Sequence, residues 1–362
     1  EIPGSLKEVD WKELYAIAKK QALLGVLFHG IQRLPKELAP EQKLLMQWMV
    51  MAEMVRKQNI KLYQDSVKVC QNFEKEGFAN CILKGQGNAL LYPDPYMRTP
   101  GDIDIYLSGG RKKIMKYVDQ VCPNQVMRYH HVDFPVMKTA IEVHFTPSYM
   151  FYPIHNRRMQ KWFEKVMGEQ CNHRVSLPDG YGEIHVPQVS FNVIYILSHL
   201  YRHIFTEGIG LRQLLDYYFV LVKWHTDLTN LTDSNKSLPQ MTQINTDLDT
   251  LRHELKYLGL WKFAQAVMFV MKEVFGLSED RMIAPMDERE GSFLLDEIMR
   301  GGNFGQYDDR MGSKVGESKI HRYFRMNLRN LRFVKHYPTE ALSEPLFRTW
   351  FALWKKIYGI RL

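Results

Sequence analysis

The chain has 362 residues and a formal net charge of +8, with 45% hydrophobic, 24% charged and 12% aromatic residues. That length outgrows a single hydrophobic core, so two or three packing units are expected, and the composition excludes disordered, collagenous and low-complexity classes. Four scattered cysteines, Cys70, Cys81, Cys122 and Cys171, lack CxxC spacing; this excludes a zinc ribbon or a disulfide framework and fits a reducing, cytoplasmic setting. No stretch approaches the roughly 18 uncharged apolar residues of a membrane span, so no membrane partner is expected. The positive balance suits an anionic partner such as a nucleotide or nucleic acid. Lysines and arginines at 111–113, 157–158 and 322–335 form no continuous basic block, which leaves nucleic acid open as a partner without favouring it.

In chain order, apolar positions such as Leu14, Ile17, Ala18, Ala22 and Leu23 predict amphipathic helices over 5–34 and 41–76, parted by the prolines at 35 and 40. Ala79–Leu83 reads as a short buried strand, followed by a helix-compatible stretch at 86–92. Residues 103–107 make a second strand, Arg111–Val121 an amphipathic helix, and 125–137 with 138–145 two strands of a hairpin. Beyond 155 helical periodicity prevails, interrupted by an extended segment at Gly182–Val186 ahead of Pro187. Helices are expected at 188–206, 209–225, 243–275, 289–300, 316–335 and 344–358, with a loop rich in Thr, Asn, Asp and Ser at 226–242. The expected fold class is α+β, with a small mixed sheet at 78–150 between an N-terminal helical region at 1–77 and a larger C-terminal helical region at 151–362.

The run Thr99-Pro-Gly-Asp-Ile-Asp-Ile-Tyr-Leu107 carries the strongest chemical signal. On a strand successive side chains alternate, so Asp102 and Asp104 share one face while Ile103, Ile105 and Leu107 share the other. Their Cα atoms then lie about 6–7 Å apart, and carboxylates at that spacing can converge on a pair of metal ions about 3.5–4 Å apart. Ile141-Glu142-Val143-His144 supplies a third carboxylate in the same alternating setting. If the two strands are neighbours, three carboxylates meet on one face, with His144 beside them as a ligand or a hydrogen-bonded neighbour of one. Upstream, Leu83-Lys84-Gly85-Gln86-Gly87 ends a strand and opens a helix, where glycine, a helix N-terminus and a lysine together favour an anion.

These segments, with Tyr92, Pro95 and Arg98 between them, resemble the poorly characterised bacterial nucleotidyltransferase family within the DNA polymerase beta-like superfamily. The similarity continues through His199, His203, Gly210, Arg212 and Asp216, where that family carries a helical His-xxx-His, then Gly-x-Arg and Asp. It implies a palm-like sheet of the polymerase beta type in which Asp102, Asp104 and Glu142 are catalytic and coordinate two Mg²⁺ ions, or Mn²⁺, together with a nucleoside triphosphate. Chemistry would be an in-line attack, one metal activating the acceptor and the other neutralising the departing pyrophosphate. Lys84 and the Gly85 backbone would bind the nucleotide phosphates. Arg98 would either clamp a terminal phosphate or pair with an aspartate. One departure stands out, because the superfamily opens its site with Gly-Ser whereas this chain has Gly85-Gln86 and a longer spacer holding Tyr92, Pro93 and Pro95.

His199 and His203 share one helix face at i, i+4, without an evident third ligand. They read as structural residues or as contacts to substrate. Arg212 and Asp216 repeat the spacing and read as a helix ion pair or as substrate-site residues. Gly301-Gly-Asn-Phe-Gly305 reads as a connector or a lid, and Trp350, Phe351 and Trp354 as core or interface packing. The function expected is Mg²⁺-dependent transfer of a nucleoside monophosphate from an NTP to an unidentified hydroxyl or phosphate acceptor. The alternative is a non-catalytic nucleotide-binding or regulatory module that keeps the same fold.

Overall fold

The computed structural model describes residues 9–233, 248–310 and 318–358. Asp10 caps α1 (Trp11–Lys20), its carboxylate accepting from the Lys12 and Glu13 amides at 2.9 and 3.0 Å. The single helix expected over 5–34 is broken. Ala22 takes a positive φ of 56° and α2 starts afresh as Leu24–Ile31. Tertiary hydrogen bonds account for the break, since the buried Gln21 amide donates to Ile298 O and accepts from Leu211 N, at 3.0 and 2.9 Å. The long α3 (Gln42–Lys75) then crosses the molecule. Its buried Asn59 donates to the carbonyls of Tyr96 and Arg98 at 2.7 and 2.8 Å and so fixes the segment that leads into the sheet.

The sheet is mixed and four-stranded, with β1 (Asn80–Leu83), β2 (Ile103–Leu107), β3 (His131–Asp133) and β4 (Ile141–His144) in the order β1-β2-β4-β3. β1 and β2 are antiparallel, β2 and β4 parallel, and β4 and β3 antiparallel, so the hairpin expected from 125–145 forms with shorter strands. Between β1 and β2 comes the short α4 (Gly85–Ala89), and between β2 and β3 comes α5 (Gly110–Val121). Ile103, Ile105, Val132, Ile141 and Val143 are buried in one cluster with Val67 and Phe73 of α3 and Ile114 and Val118 of α5. Each such side chain contributes about 1.5–3 kcal/mol of burial. The opposite face is left to the polar members of the same strands.

The remainder is helical apart from a ribbon of β5 (Arg174–Ser176) and β6 (Glu183–His185). In order come α6 (Pro153–Gln170), α7 (Val189–Thr206), α8 (Leu211–Asp233), α9 (Leu248–Tyr257), α10 (Trp261–Phe275), α11 (Glu288–Gly301), α12 (Lys319–Val334) and α13 (Pro338–Ile357). The chain is thus mostly helical with a small mixed sheet, an α+β arrangement. The loop expected from 226 is corrected as far as Asp233, because Leu228 packs on the core and the Thr226 hydroxyl bonds back to Val222 O at 2.9 Å. The rest of that expected loop lies outside the described residues. The helix expected over 243–275 is two helices parted at Gly259, which has φ +76° and presses so closely on His155 that a Cβ would meet the ring at 2.4 Å. Every residue of α7 from Phe191 to Phe205 is buried, so this helix runs through the interior and carries its histidines and arginine with it. Among the described residues no helix is long and apolar enough to cross a membrane.

Candidate active site

Strand register assembles the polar face. Asp104 lies opposite Glu142, Tyr106 opposite His144, and across the next ladder His131 faces His144 and Asp133 faces Glu142. Alternation therefore places Asp104, Glu142, His144, His131 and Asp133 on one side of three neighbouring strands. Their polar atoms form a continuous chain of contacts. His144 Nε2 lies 3.0 Å from Asp104 Oδ1 and 3.6 Å from Glu142 Oε2, His131 Nδ1 lies 3.2 Å from that same Glu142 oxygen, and His130 Nε2 lies 3.1 Å from His131 Nδ1. On the other flank Lys84 Nζ sits 3.1 Å from Asp104 Oδ2 and 3.0 Å from His199 Nε2. Lys84 occupies the turn between β1 and α4 with φ 57° and ψ −134°, an uncommon conformation for a non-glycine residue that costs about 1–3 kcal/mol and recurs at functional turns.

Charge is distributed unevenly across this face. Burial alone would raise the Asp104 carboxyl, but the Lys84 ammonium and the His144 hydrogen bond outweigh it and hold Asp104 well below the usual carboxylate range. Asp102 goes the other way, up to about 6, first because of the Asp104 charge and then because of burial: its side chain opens to solvent at the rim, yet protein surrounds it on the other sides. For His144 burial is overcome by hydrogen bonds to Asp104 and Glu142, and its pKa rises. Burial pushes His130 and His199 well below the ordinary imidazole value, and His131 down to about 2.

In front of the face lies a cleft of about 570 Å³, lined by Lys84, Asp102, Asp104, His131 and Glu142 on the sheet side and by His199, Arg202, His203 and Glu207 from α7 and the residue after it. Arg128, Lys355, Tyr149 and Phe351 complete it. His199 and His203 thus border the cleft, and Arg202 Nη2 lies 2.7 Å from His203 Nε2. Phe351 is a cleft wall, and Trp350 is half exposed instead of buried in a core. A roomier, largely apolar hollow of about 730 Å³ between α6 and α13 meets the cleft at Tyr129. The carboxylates line the smaller of these two spaces.

A hollow of about 40 Å³ shares Lys84, Asp102, Asp104, His199 and Phe304 with the cleft and adds Gly85, Asn88, Arg98, Arg212, Gln213 and Asp216. Here the Arg98 alternatives are resolved. Its guanidinium grips Asp216 through Nε–Oδ1 at 2.7 Å and Nη2–Oδ2 at 2.8 Å, with Tyr92 donating to Asp216 Oδ1 at 2.7 Å. Arg212 and Asp216 are not a surface pair. Both are buried and 4.0 Å apart, so two guanidiniums face the Asp216 carboxylate. Asn88 Nδ2 and Gln213 Nε2 are buried there as donors without a protein partner. Gln86, standing where the resembling superfamily has serine, is itself buried with neither amide atom partnered.

The segment 301–305 lines the cleft through Phe304. Phe304 has φ 51° and reaches the His203 ring and the Arg212 guanidinium at 5.7 and 5.5 Å. Gly305, at φ +63°, packs so tightly that a Cβ would lie 1.9 Å from Glu207 O. Gly305→Ala is expected to destabilise the protein by about 1 kcal/mol or more, read as a lower urea midpoint; an unchanged midpoint would mean that this wall yields.

His130, His131 and Arg202 were missed from sequence. A signal existed in His131-Val132-Asp133, which alternates as Glu142-Val143-His144 does and lies one hairpin away. Among the described residues, Asp104, Glu142 and His144 offer ligand atoms within 4.8 Å of one another, as do His130, His131 and His144, and His131, Asp133 and Glu142. Asp102 belongs to none of these groups and stands at the rim. Two carboxylates and an imidazole fit a single divalent cation, with Lys84 on the outer oxygen of Asp104 leaving the inner one to ligate.

No curated protein and no solved structure matches the chain. The model of the family described as uncharacterised nucleotidyltransferase matches residues 7–276, three-quarters of a chain whose sheet, carboxylates and polar hollow have just been set out, and the protein belongs to that family.

Proposed function

We propose that the protein transfers a nucleoside monophosphate from a nucleoside triphosphate to a hydroxyl or phosphate acceptor. The single observation that carries this reading is adjacency: a carboxylate and imidazole cluster suited to a divalent cation borders a hollow where Lys84, Arg212 and unpartnered amide donors suit phosphate oxygens. The sheet would then serve as a polymerase beta-type palm. The acceptor oxygen forms a bond to the α-phosphorus as the bond from that phosphorus to the bridging oxygen breaks, and pyrophosphate leaves. Asp104, Glu142 and His144 would hold a divalent cation, which would supply Lewis acidity to the phosphoryl oxygens. Asp102, outside that ligand group and open to the cleft, is the carboxylate placed to take the acceptor proton. Lys84 and Arg212 hold the triphosphate, and the α7 histidines and Arg202 border the acceptor side.

The test is pyrophosphate release and label transfer from α-phosphate-labelled ATP, GTP, CTP and UTP, with Mg²⁺ or Mn²⁺, in the presence of fractionated cell extract. Asp104-dependent release is expected. Absence of release and of binding for all four nucleotides would sink the proposal. Arg212→Met should raise KM for the nucleotide about 10-fold or more, since one charge-assisted hydrogen bond contributes about 1.5–3 kcal/mol; an unchanged KM would remove Arg212 from phosphate binding.

The buried Gln86 favours a second reading, a nucleotide-binding module without turnover. Tight NTP binding with no pyrophosphate release, even in a single turnover, would select it.

A further inference from the structure

We infer that the candidate metal centre is built for a first-row transition ion held partly through imidazole nitrogen, with His144 as a ligand beside Asp104 and Glu142, and not for magnesium held by carboxylates alone. This names the ion of the proposed site and rests on that function only for the ion's catalytic use.

The argument begins with the donor set. Magnesium prefers oxygen ligands in a near-octahedral shell and keeps several waters, whereas imidazole suits zinc, copper, iron and nickel. In an all-carboxylate centre the third ligand would be Asp102, but Asp102 stands outside the cluster and His144 takes its place among the convergent atoms. The spacing agrees. Adjacent ligands around an ion with bonds of about 2.1 Å lie about 3.0 Å apart in an octahedron and about 3.4 Å apart in a tetrahedron. Within the convergent group, His144 Nε2 lies 3.0 Å from Asp104 Oδ1 and 3.6 Å from Glu142 Oε2.

The scaffold is rigid in the way a metal site requires. Each donor comes from a strand of the sheet and not from a loop, and the ladders lock Asp104 to Glu142 and His131 to His144 in register. Both imidazoles are buried, with His144 1% and His131 5% exposed, so neither serves as a surface base. Lys84 engages the far oxygen of Asp104, which fixes that carboxylate as a one-oxygen ligand. Sequence places no further carboxylate on this part of the face except Asp133, which with His131 and Glu142 forms a second, overlapping group.

Manganese is the probe, because its paramagnetism reports nitrogen directly. The full chain is titrated with Mn²⁺ by electron paramagnetic resonance, Mg²⁺ is added as competitor, and the bound ion is examined by electron spin echo envelope modulation. The expected results are Mn²⁺ binding at least about 100-fold tighter than Mg²⁺ and a ¹⁴N modulation from imidazole. His144→Gln should weaken Mn²⁺ at least 10-fold and leave Mg²⁺ within 3-fold, with His144→Asn a second variant should His144→Gln fail to fold. Bound Mn²⁺ without ¹⁴N modulation in the wild type, or Mg²⁺ displacing it at equal concentration, overturns the inference. Pyrophosphate release measured on the same samples separates the two readings. Release in Mg²⁺ with no nitrogen coupling leaves the proposed function standing and removes the imidazole site, whereas nitrogen coupling without release from any NTP does the reverse.

Discussion

Asp104→Asn should lower nucleotidyl transfer by at least about 10³-fold, equivalent to about 4 kcal/mol of transition-state stabilisation, while the protein remains folded. Asp104 is the hub of the site: one carboxylate oxygen meets Lys84, the other meets His144, and the residue sits opposite Glu142 in the parallel ladder. Asparagine keeps the shape and removes the charge, so ion binding and the alignment of Lys84 fail together. Asp102→Asn tests the division of labour on the same strand. Because Asp102 lies outside the ligand group, its loss should reduce kcat by about 10²–10⁴-fold, the range for a general base, and leave metal affinity within a few-fold. Measured metal affinities decide the point, and equal losses in the two variants would show that both aspartates ligate.

Arg98→Ala should destabilise the protein by about 3 kcal/mol at pH 7, because it leaves the buried Asp216 carboxylate with only the Tyr92 hydroxyl and Arg212 at 4.0 Å. Arg98 is 3% and Asp216 5% exposed, and their two parallel bonds tie the segment before β2 to α8. The pH dependence follows from the sign of the shift. Burial would raise the Asp216 carboxyl, but Arg98 overrides it and holds that carboxyl below its ordinary value. In the wild type the pair therefore contributes stability that is fully present above about pH 4 and is lost only as pH falls further, through the depressed folded pKa. Without Arg98 the buried acid should take up a proton more readily, so the deficit of Arg98→Ala should shrink between pH 7 and pH 4. Urea midpoints of both proteins across that range check this, and a deficit independent of pH would assign the loss to packing.

Elements with a strong local period were legible in the sequence. Residues 103–107 form a strand, and the alternation of Asp104 with isoleucines and of Glu142 with Ile141 and Val143 placed both acids on a polar face, because side-chain direction along a strand depends only on parity. The break at Ala22 was not legible, since its cause is a glutamine bonded to residues 190 and 277 positions away. The extension of α8 past residue 226 was hidden by polar composition, which a packed Leu228 overrode. Arg98 presents the limit most sharply: its chemistry admits a phosphate or an aspartate equally, and only a partner 118 residues distant decides.

The same division holds at the site. By itself the sequence determined that Asp104, Glu142 and His144 are available on strands with one polar face, since parity is a local property of the backbone. The tertiary structure alone decided that His131 meets Glu142, that Asp102 stays at the rim, that Lys84 meets both Asp104 and His199, and that Arg212 lies beside a carboxylate already gripped by Arg98. Those outcomes depend on strand order and on the passage of α7 through the core, which are fixed by burial summed over the whole chain and by no neighbouring residues.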